Sequence, residues 1–199
     1  MNYTQQHLRE TAAILQMLDV AAIEKIVTVL AQIKADAGRI FFLGVGGSAG
    51  NCSHAVNDFR KLLGIECYTP VDNVSELTAR INDEGWEGAF VEWLKISRLS
   101  PRDAVFVLSV GGGSIEKGIS LNLVSAVDYA RHTGARVIGI LGRDGGHTAR
   151  LADAAVIIPT VNSEVVTPHV EALQAVIWHL LVSHPRLGPK EAKWESTQR

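Results

Sequence analysis

The chain has 199 residues, of which 47% are hydrophobic and 20% charged, with a formal net charge of -2. That length supports one domain with a full core, and the composition excludes a disordered or low-complexity chain. The near-neutral balance offers no overall attraction to nucleic acid or to an anionic membrane, so neither is an expected partner. Cys52 and Cys67 are spaced neither as a zinc knuckle nor as a redox pair. The start MNYTQQHLRE is too polar for a secretory signal, and no apolar run approaches the ~20 residues of a membrane-spanning helix. A cytoplasmic protein with reduced thiols is the expectation.

In chain order, Leu8, Ala12, Leu15, Leu18, Ala22, Ile26, Leu30 and Ile33 recur every three or four residues. This predicts a long N-terminal helix over 5–36, with Asp19 marking a possible break. The stripe is longer than one sheet face needs, so part of it is expected against a partner chain. Four runs rich in branched and aromatic residues then read as buried strands: RIFFLGV (39–45), AVFVLSV (104–110), RVIGILG (136–142) and AAVIIPT (154–160), with ECYTPV (66–71) a weaker fifth. Helices are predicted between them at 49–63, 73–81, 85–97, 115–133 and 164–183. The alternation is that of a doubly wound, flavodoxin-like α/β fold with a five-stranded parallel sheet. Residues 1–184 form the single domain. Residues 185–199 form a polar tail in which Trp194 is the one large anchor.

In open parallel sheets ligands settle beyond the carboxyl ends of the strands. Two such places carry small, hydroxyl-bearing loops, GVGGSAG after the first strand and SVGGGSIEKG after the third. Free backbone N–H groups at a helix start favour an anion such as phosphate. One such loop is as readily a tight strand-to-helix turn. Two on neighbouring strands, with Gly46, Gly47, Ser48, Ser109, Gly111, Gly112 and Ser114, point to a phosphate cradle. The GxGxxG spacing of dinucleotide folds and the GK[ST] ending of a P-loop are both missing.

His54 and Asp58 are four positions apart on a predicted helix, so they share a face. Glu171 and His179 can share a face of the last helix. A His, His, Asp, Glu set suits zinc or another divalent ion. Taken alone, His54 is also consistent with a hydrogen-bonded surface histidine, and His179 with a satisfied core histidine. His132, His147, His169 and His184 have no evident partner and read as surface residues; Glu116 and Lys117 read as a solvated helix start.

Four segments in order carry a resemblance. GVGGSAGNCSHAVNDF, SVGGGS, LGRDGGHTARLAD and EALQAVIWHLL together resemble the sugar isomerase (SIS) domain in its phosphoheptose isomerase branch, over about residues 5–184. The resemblance implies a homotetramer that converts sedoheptulose 7-phosphate to D-glycero-D-manno-heptose 7-phosphate through an enediol, often with zinc. It places His54 at the family's first metal-ligand histidine, Asp58 at a Glu that is ligand and base, His179 at the second histidine and Glu171 at a Gln. Asn82 and Asp83 fall on the family's Asn-Asp pair at the substrate pocket, and Ser48, Ser109 and Ser114 on phosphate-contacting serines. Asp58 and His179 are thus expected as the proton-transfer pair, with His54 and Glu171 as further ligands. The chain departs from the pattern at Val45, where the family has Asn. Val110, Gly111 and Gly113 replace Thr, Ser and Asn, and Pro168, His169 and Glu171 lie in an altered run. The alternatives are an isomerase of another phosphosugar and a non-catalytic SIS module that binds a phosphosugar or a protein of the replication-initiator-associating type.

Overall fold

A computed structural model describes residues 2–197. The side chains of Trp194 and Glu195 lie outside that description, and with them the anchoring expected of Trp194. The predicted long N-terminal helix is two helices, α1 (Tyr3–Met17) and α2 (Val20–Ala35). Asn2 opens the first with a reciprocal capping box to Gln5, and the Asp19 carboxylate accepts the Ala22 N–H at 3.0 Å to open the second. Asp19 therefore caps a new helix, because its side chain competes for backbone donors that a continuous helix would bond internally.

Strands β1 (Ile40–Leu43), β2 (Cys67–Tyr68), β3 (Ala104–Ser109), β4 (Arg136–Leu141) and β5 (Ala154–Ile157) form one parallel sheet in the order β2-β1-β3-β4-β5. All four residues of β1 and all six of β3 are buried, as the unbroken apolar runs require of strands covered on both faces. Alternate residues supply two cores. Phe42, Phe106 and Ile140 meet α2, α3 (Gly47–Asp58) and α7 (Val166–Val182), while Phe41, Val107 and Val137 meet α4 (Val74–Ile96) and α5 (Leu121–Thr133). A short α6 (Gly146–Leu151) follows β4. The break predicted between 81 and 85 is a kink at Gly85, whose φ of 76° only glycine adopts freely.

The apolar stripe divides its work. In α2, Ile23, Ile26, Val27, Leu30 and Ile33 are buried at home, whereas in α1 only Ile14 is buried and Leu8 and Leu15 stay exposed. The helix predicted over 115–133 begins only at Leu121. Residues 114–119 instead form a small hairpin, with Ser114 and Ile119 exchanging backbone hydrogen bonds and Gly118 in a left-handed turn. The segment Ser163–Val182 is long and apolar enough to cross a membrane, with a mean hydropathy of 1.3, but it lies packed as a core helix. Both cysteines are buried and in no disulfide, and burial pushes both thiols up.

One buried ion pair fixes the start of the central strands. The Asp103 carboxylate accepts the Arg39 N–H at 2.9 Å, its guanidinium at 2.8 and 3.2 Å, and the Ser100 N–H and hydroxyl at 2.9 Å each. Burial pushes this carboxyl up, but the Arg39 and Ser100 donors outweigh it and hold it below the ordinary range.

Candidate functional site

Strand order reverses between β1 and β3, and the crevice there is a pocket of about 860 Å³. Val45 and Ser48 line it from the first glycine loop, Ser109 to Ser120 from the second, and Arg143, Asp144, Gly146 and Arg150 from beyond β4.

The second loop is held by the Ser109 hydroxyl and by Thr148 of α6. Ser109 Oγ accepts the Gly112 N–H at 3.0 Å and, less closely, that of Gly111 at 3.4 Å. Gly112 sits at φ 67°, and its carbonyl accepts both the N–H of Thr148, at 2.9 Å, and its hydroxyl, at 2.8 Å. A side chain at Gly112 would collide with the Gly145 carbonyl, so glycine is required for the loop to lie against the start of α6. Ser114 Oγ accepts the Lys117 N–H at the hairpin turn. Glu116 and Lys117, expected to begin a helix, line the pocket instead.

The first loop differs from the expected cradle. Gly46 adopts φ 64° to open α3, and the Glu171 carboxylate of α7 lies against Gly47 and accepts the Ser48 N–H at 3.2 Å. Ser48 Oγ accepts the Gln174 amide at 3.1 Å, while the Asn51 amide bridges the Glu171 carbonyl and Gln174 Oε1. The positive end of α3 therefore already faces an anion belonging to the protein. The second loop and the cations Lys117, Arg143 and Arg150 line the rest of the pocket, and none of the three is in an ion pair among the described residues. Sequence reasoning missed the two arginines. Their signal was position, since LGRDGGHTAR begins at the carboxyl end of a central strand.

His54, Asp58 and His179 do come together, with ligand atoms all within 4.8 Å of one another. Asp58 Oδ2 lies 3.7 Å from His54 Nε2 and 3.7 Å from His179 Nε2. Its other oxygen accepts the Asn57 amide at 2.8 Å. His179 Nδ1 lies 2.8 Å from the Ala175 carbonyl, an acceptor, so this nitrogen carries a proton and Nε2 is the ring nitrogen that faces Asp58. Trp178, buried behind the pair, meets the His54 ring edge-on at 4.7 Å. Immediately after Asp58 the helix widens into a π turn, Phe59–Leu63.

Two imidazoles and a carboxylate are a donor set for zinc or a similar divalent ion. A tetrahedral site with bonds of about 2.0 Å spaces its ligands about 3.3 Å apart, so the observed 3.7 Å needs little closure. Glu171, expected as a fourth ligand, is not in this group. It precedes His179 by eight positions, about 12 Å of helix rise, and its carboxylate is engaged at Ser48. Asn82 and Asp83 are exposed on α4, hydrogen-bonded to each other at 2.7 Å, and do not line the pocket of this chain.

The histidines read as unpartnered also change. His147 Nε2 lies 2.7 Å from Asp128, His184 Nε2 lies 3.2 Å from Glu24, and His169 is buried with its Nε2 3.0 Å from Glu10. These partners are 19 to 160 positions away along the chain, so local spacing could not show them.

A SIS domain profile matches residues 3–142. Phosphoheptose isomerase of Helicobacter hepaticus is 32% identical over 165 residues, covering 80% of this chain and 79% of that protein. Lincomycin biosynthesis protein LmbN of Streptomyces lincolnensis is 34% identical over 154 residues, 74% of this chain but only 56% of the length of that relative. Among solved structures, phosphoheptose isomerase GmhA of Neisseria gonorrhoeae superposes with a TM-score of 0.79 at 22% identity, over 90% of this chain and 96% of that one.

Proposed function

We propose, from the premise that this chain belongs to the SIS domain family, that it is an aldose–ketose isomerase of a phosphorylated sugar, with sedoheptulose 7-phosphate the best-supported substrate. The observation that carries this reading is Asp58 Oδ2 set 3.7 Å from the Nε2 atoms of both His54 and His179, on one face of α3 and α7.

In this reading the second glycine loop, Arg143 and Arg150 hold the phosphate. Ser48 and His54 are six positions apart on α3, about 9 Å of rise. An open-chain ketose phosphate, with carbonyl and phosphate at opposite ends, bridges a separation of that kind. Asp58 removes the proton from the carbon beside the carbonyl and returns it to the neighbouring carbon, and His179 Nε2 moves the hydroxyl proton. His54, Asp58 and His179 would hold a zinc ion, which would supply polarisation of the carbonyl; one lone pair serves either the ion or the proton, so His179 Nε2 moves the hydroxyl proton only while it is not a ligand. Copies assemble as a homotetramer. Support for this comes from Leu8 and Leu15 on α1, and Val176 and Leu180 on α7, all large apolar side chains exposed on the single chain.

A second reading, isomerisation of a different phosphosugar, draws on the Glu171 carboxylate at Ser48 and on Val110 and Gly111 in the phosphate loop. The test is to incubate the protein with ketose phosphates of different chain length and to measure the aldose phosphates formed. The proposal expects fastest conversion of the seven-carbon ketose. Faster conversion of another sugar reassigns the substrate, and no conversion of any leaves the non-catalytic module.

A further inference from the structure

A second cluster of ligand atoms lies away from the sugar site, between α1 and the first turn of α7. His7, Glu10 and His169 bring a carboxylate oxygen and two imidazole nitrogens within 4.8 Å of one another. The Glu10 carboxylate is tightly held: Oε1 accepts the Gln6 amide at 2.9 Å and the Asn162 amide at 2.8 Å, and Oε2 lies 3.0 Å from His169 Nε2. Hydrogen bonds from Gln6, His169 and Asn162 pull this carboxyl down to about 2, so it is an anion throughout the neutral range.

The hydrogen bonds around His169 suit it to exchange a proton for an ion. Thr11 donates its single hydroxyl proton to the His7 carbonyl at 2.9 Å, so toward His169 Nδ1, 3.4 Å away, its oxygen can only accept. In the metal-free protein Nε2 carries the proton and donates it to Glu10 at 3.0 Å; an ion that displaces this proton leaves Nδ1–H to donate to Thr11, whose oxygen is already placed to accept. His7 supplies a further indication. Its ring stacks on His169 at 4.4 Å and 17°, and its buried Nδ1 has no hydrogen-bond partner among the described residues.

We propose that His7, Glu10 and His169 form a binding site for a divalent transition metal such as zinc, with one position left for water, that pins α1 to α7. Two imidazoles and one carboxylate are the borderline donor set that zinc prefers. The 3.0 Å between Glu10 Oε2 and His169 Nε2 is near the separation of two ligands on one ion, about 3.3 Å. Thr11 orients His169 from its other nitrogen, as outer partners of metal-bound histidines do. Entry of the ion turns the His7 ring about its Cβ–Cγ bond, and its Nδ1 gives up no hydrogen bond in doing so. Glu171 is two residues beyond His169, so an ion here would also steady the carboxylate that faces Ser48.

The test uses untagged full-length protein stripped with a chelator, in a His54→Ala/His179→Ala background that removes the other cluster. Zinc titration is expected to show one equivalent per chain and a rise in melting temperature, because the folded state holds the ion. Adding His7→Gln should weaken binding at least about tenfold, and His169→Gln should abolish it. His7 is the safer variant because it is only half-buried. No zinc uptake by the His54→Ala/His179→Ala protein, or unchanged affinity after His7→Gln, overturns the proposal and leaves His169 and Glu10 as a plain hydrogen-bonded pair. Either result leaves the isomerase reading untouched, since the catalytic cluster is absent from the protein tested.

Discussion

Asp58→Glu restores the residue that the resembling family carries at this position, yet the geometry expects it to impair this chain. The change adds one methylene, moving the carboxylate by about 1.5 Å. The structure offers about 0.4 Å of slack, the difference between the observed 3.7 Å and the ~3.3 Å of two ligands on one ion. Asp58 is mostly enclosed, with 15% of its side chain exposed, and Asn57 holds its second oxygen. The longer acid therefore cannot swing freely to compensate. Misplacement of a reacting group by about 1 Å costs on the order of a hundredfold, or about 2.7 kcal/mol of barrier. The assay is the initial rate of ketose phosphate conversion at saturating zinc, with bound zinc measured in the same sample. A rate about a hundredfold down with the sugar still bound is expected, and Asp58→Asn should fall about a hundred- to ten-thousandfold. Asp58→Glu at or above the parent rate would refute the claim that the site is fitted to the shorter acid.

Other consequences are open to measurement. Glu171→Gln keeps an acceptor for the Ser48 N–H but removes the charge at the start of α3; inorganic phosphate should bind several-fold tighter while stability falls by about 0.3–1 kcal/mol, and unchanged phosphate affinity on titration would show that the carboxylate does not oppose the ligand. Asp103→Ala leaves the Arg39 guanidinium beside the buried strand ends without its partner, so urea unfolding should show a loss of about 3–5 kcal/mol, and a loss under about 1 kcal/mol would mean the pair acts as an exposed one. Because the folded carboxyl of Asp103 is depressed, its contribution is complete above the unfolded value of about 4 and is lost as pH falls through the lower folded value. The parent should therefore lose stability at acid pH more steeply than Asp103→Ala. Light scattering should find a multimer that Val176→Asp with Leu180→Asp disrupts, and a monomeric parent would remove the partner-chain explanation of the exposed α7 face.

Much of the fold was legible because each strand announces itself locally. Phe41 to Leu43 and Val105 to Leu108 are unbroken apolar runs, and both ends of the pocket are glycine loops directly after them. His54 and Asp58 were legible for the same reason, four positions apart on one helix. What failed depended on distances that the chain does not encode locally. Glu171 lies beside Ser48, 123 positions away, so helix phase linked it to His179 while its carboxylate answered the start of another helix. His169 looked solvated because its partner is on α1, 159 positions earlier. The hairpin at 114–119 was misread as helix because apolar periodicity outweighed Gly118, whose left-handed backbone ends any helix there.

Proton transfer itself can be measured in deuterated water, by incubating the protein with ketose phosphates and following solvent deuterium at the carbon beside the carbonyl by NMR. With Asp58 as the base between His54 and His179, label is expected to enter that carbon, even where the equilibrium hides net turnover, and entry is expected to be lost in Asp58→Asn. Absence of label with every ketose phosphate, while phosphate still binds the pocket, would contradict the isomerase reading; full label uptake by Asp58→Asn would contradict the role given to this carboxylate.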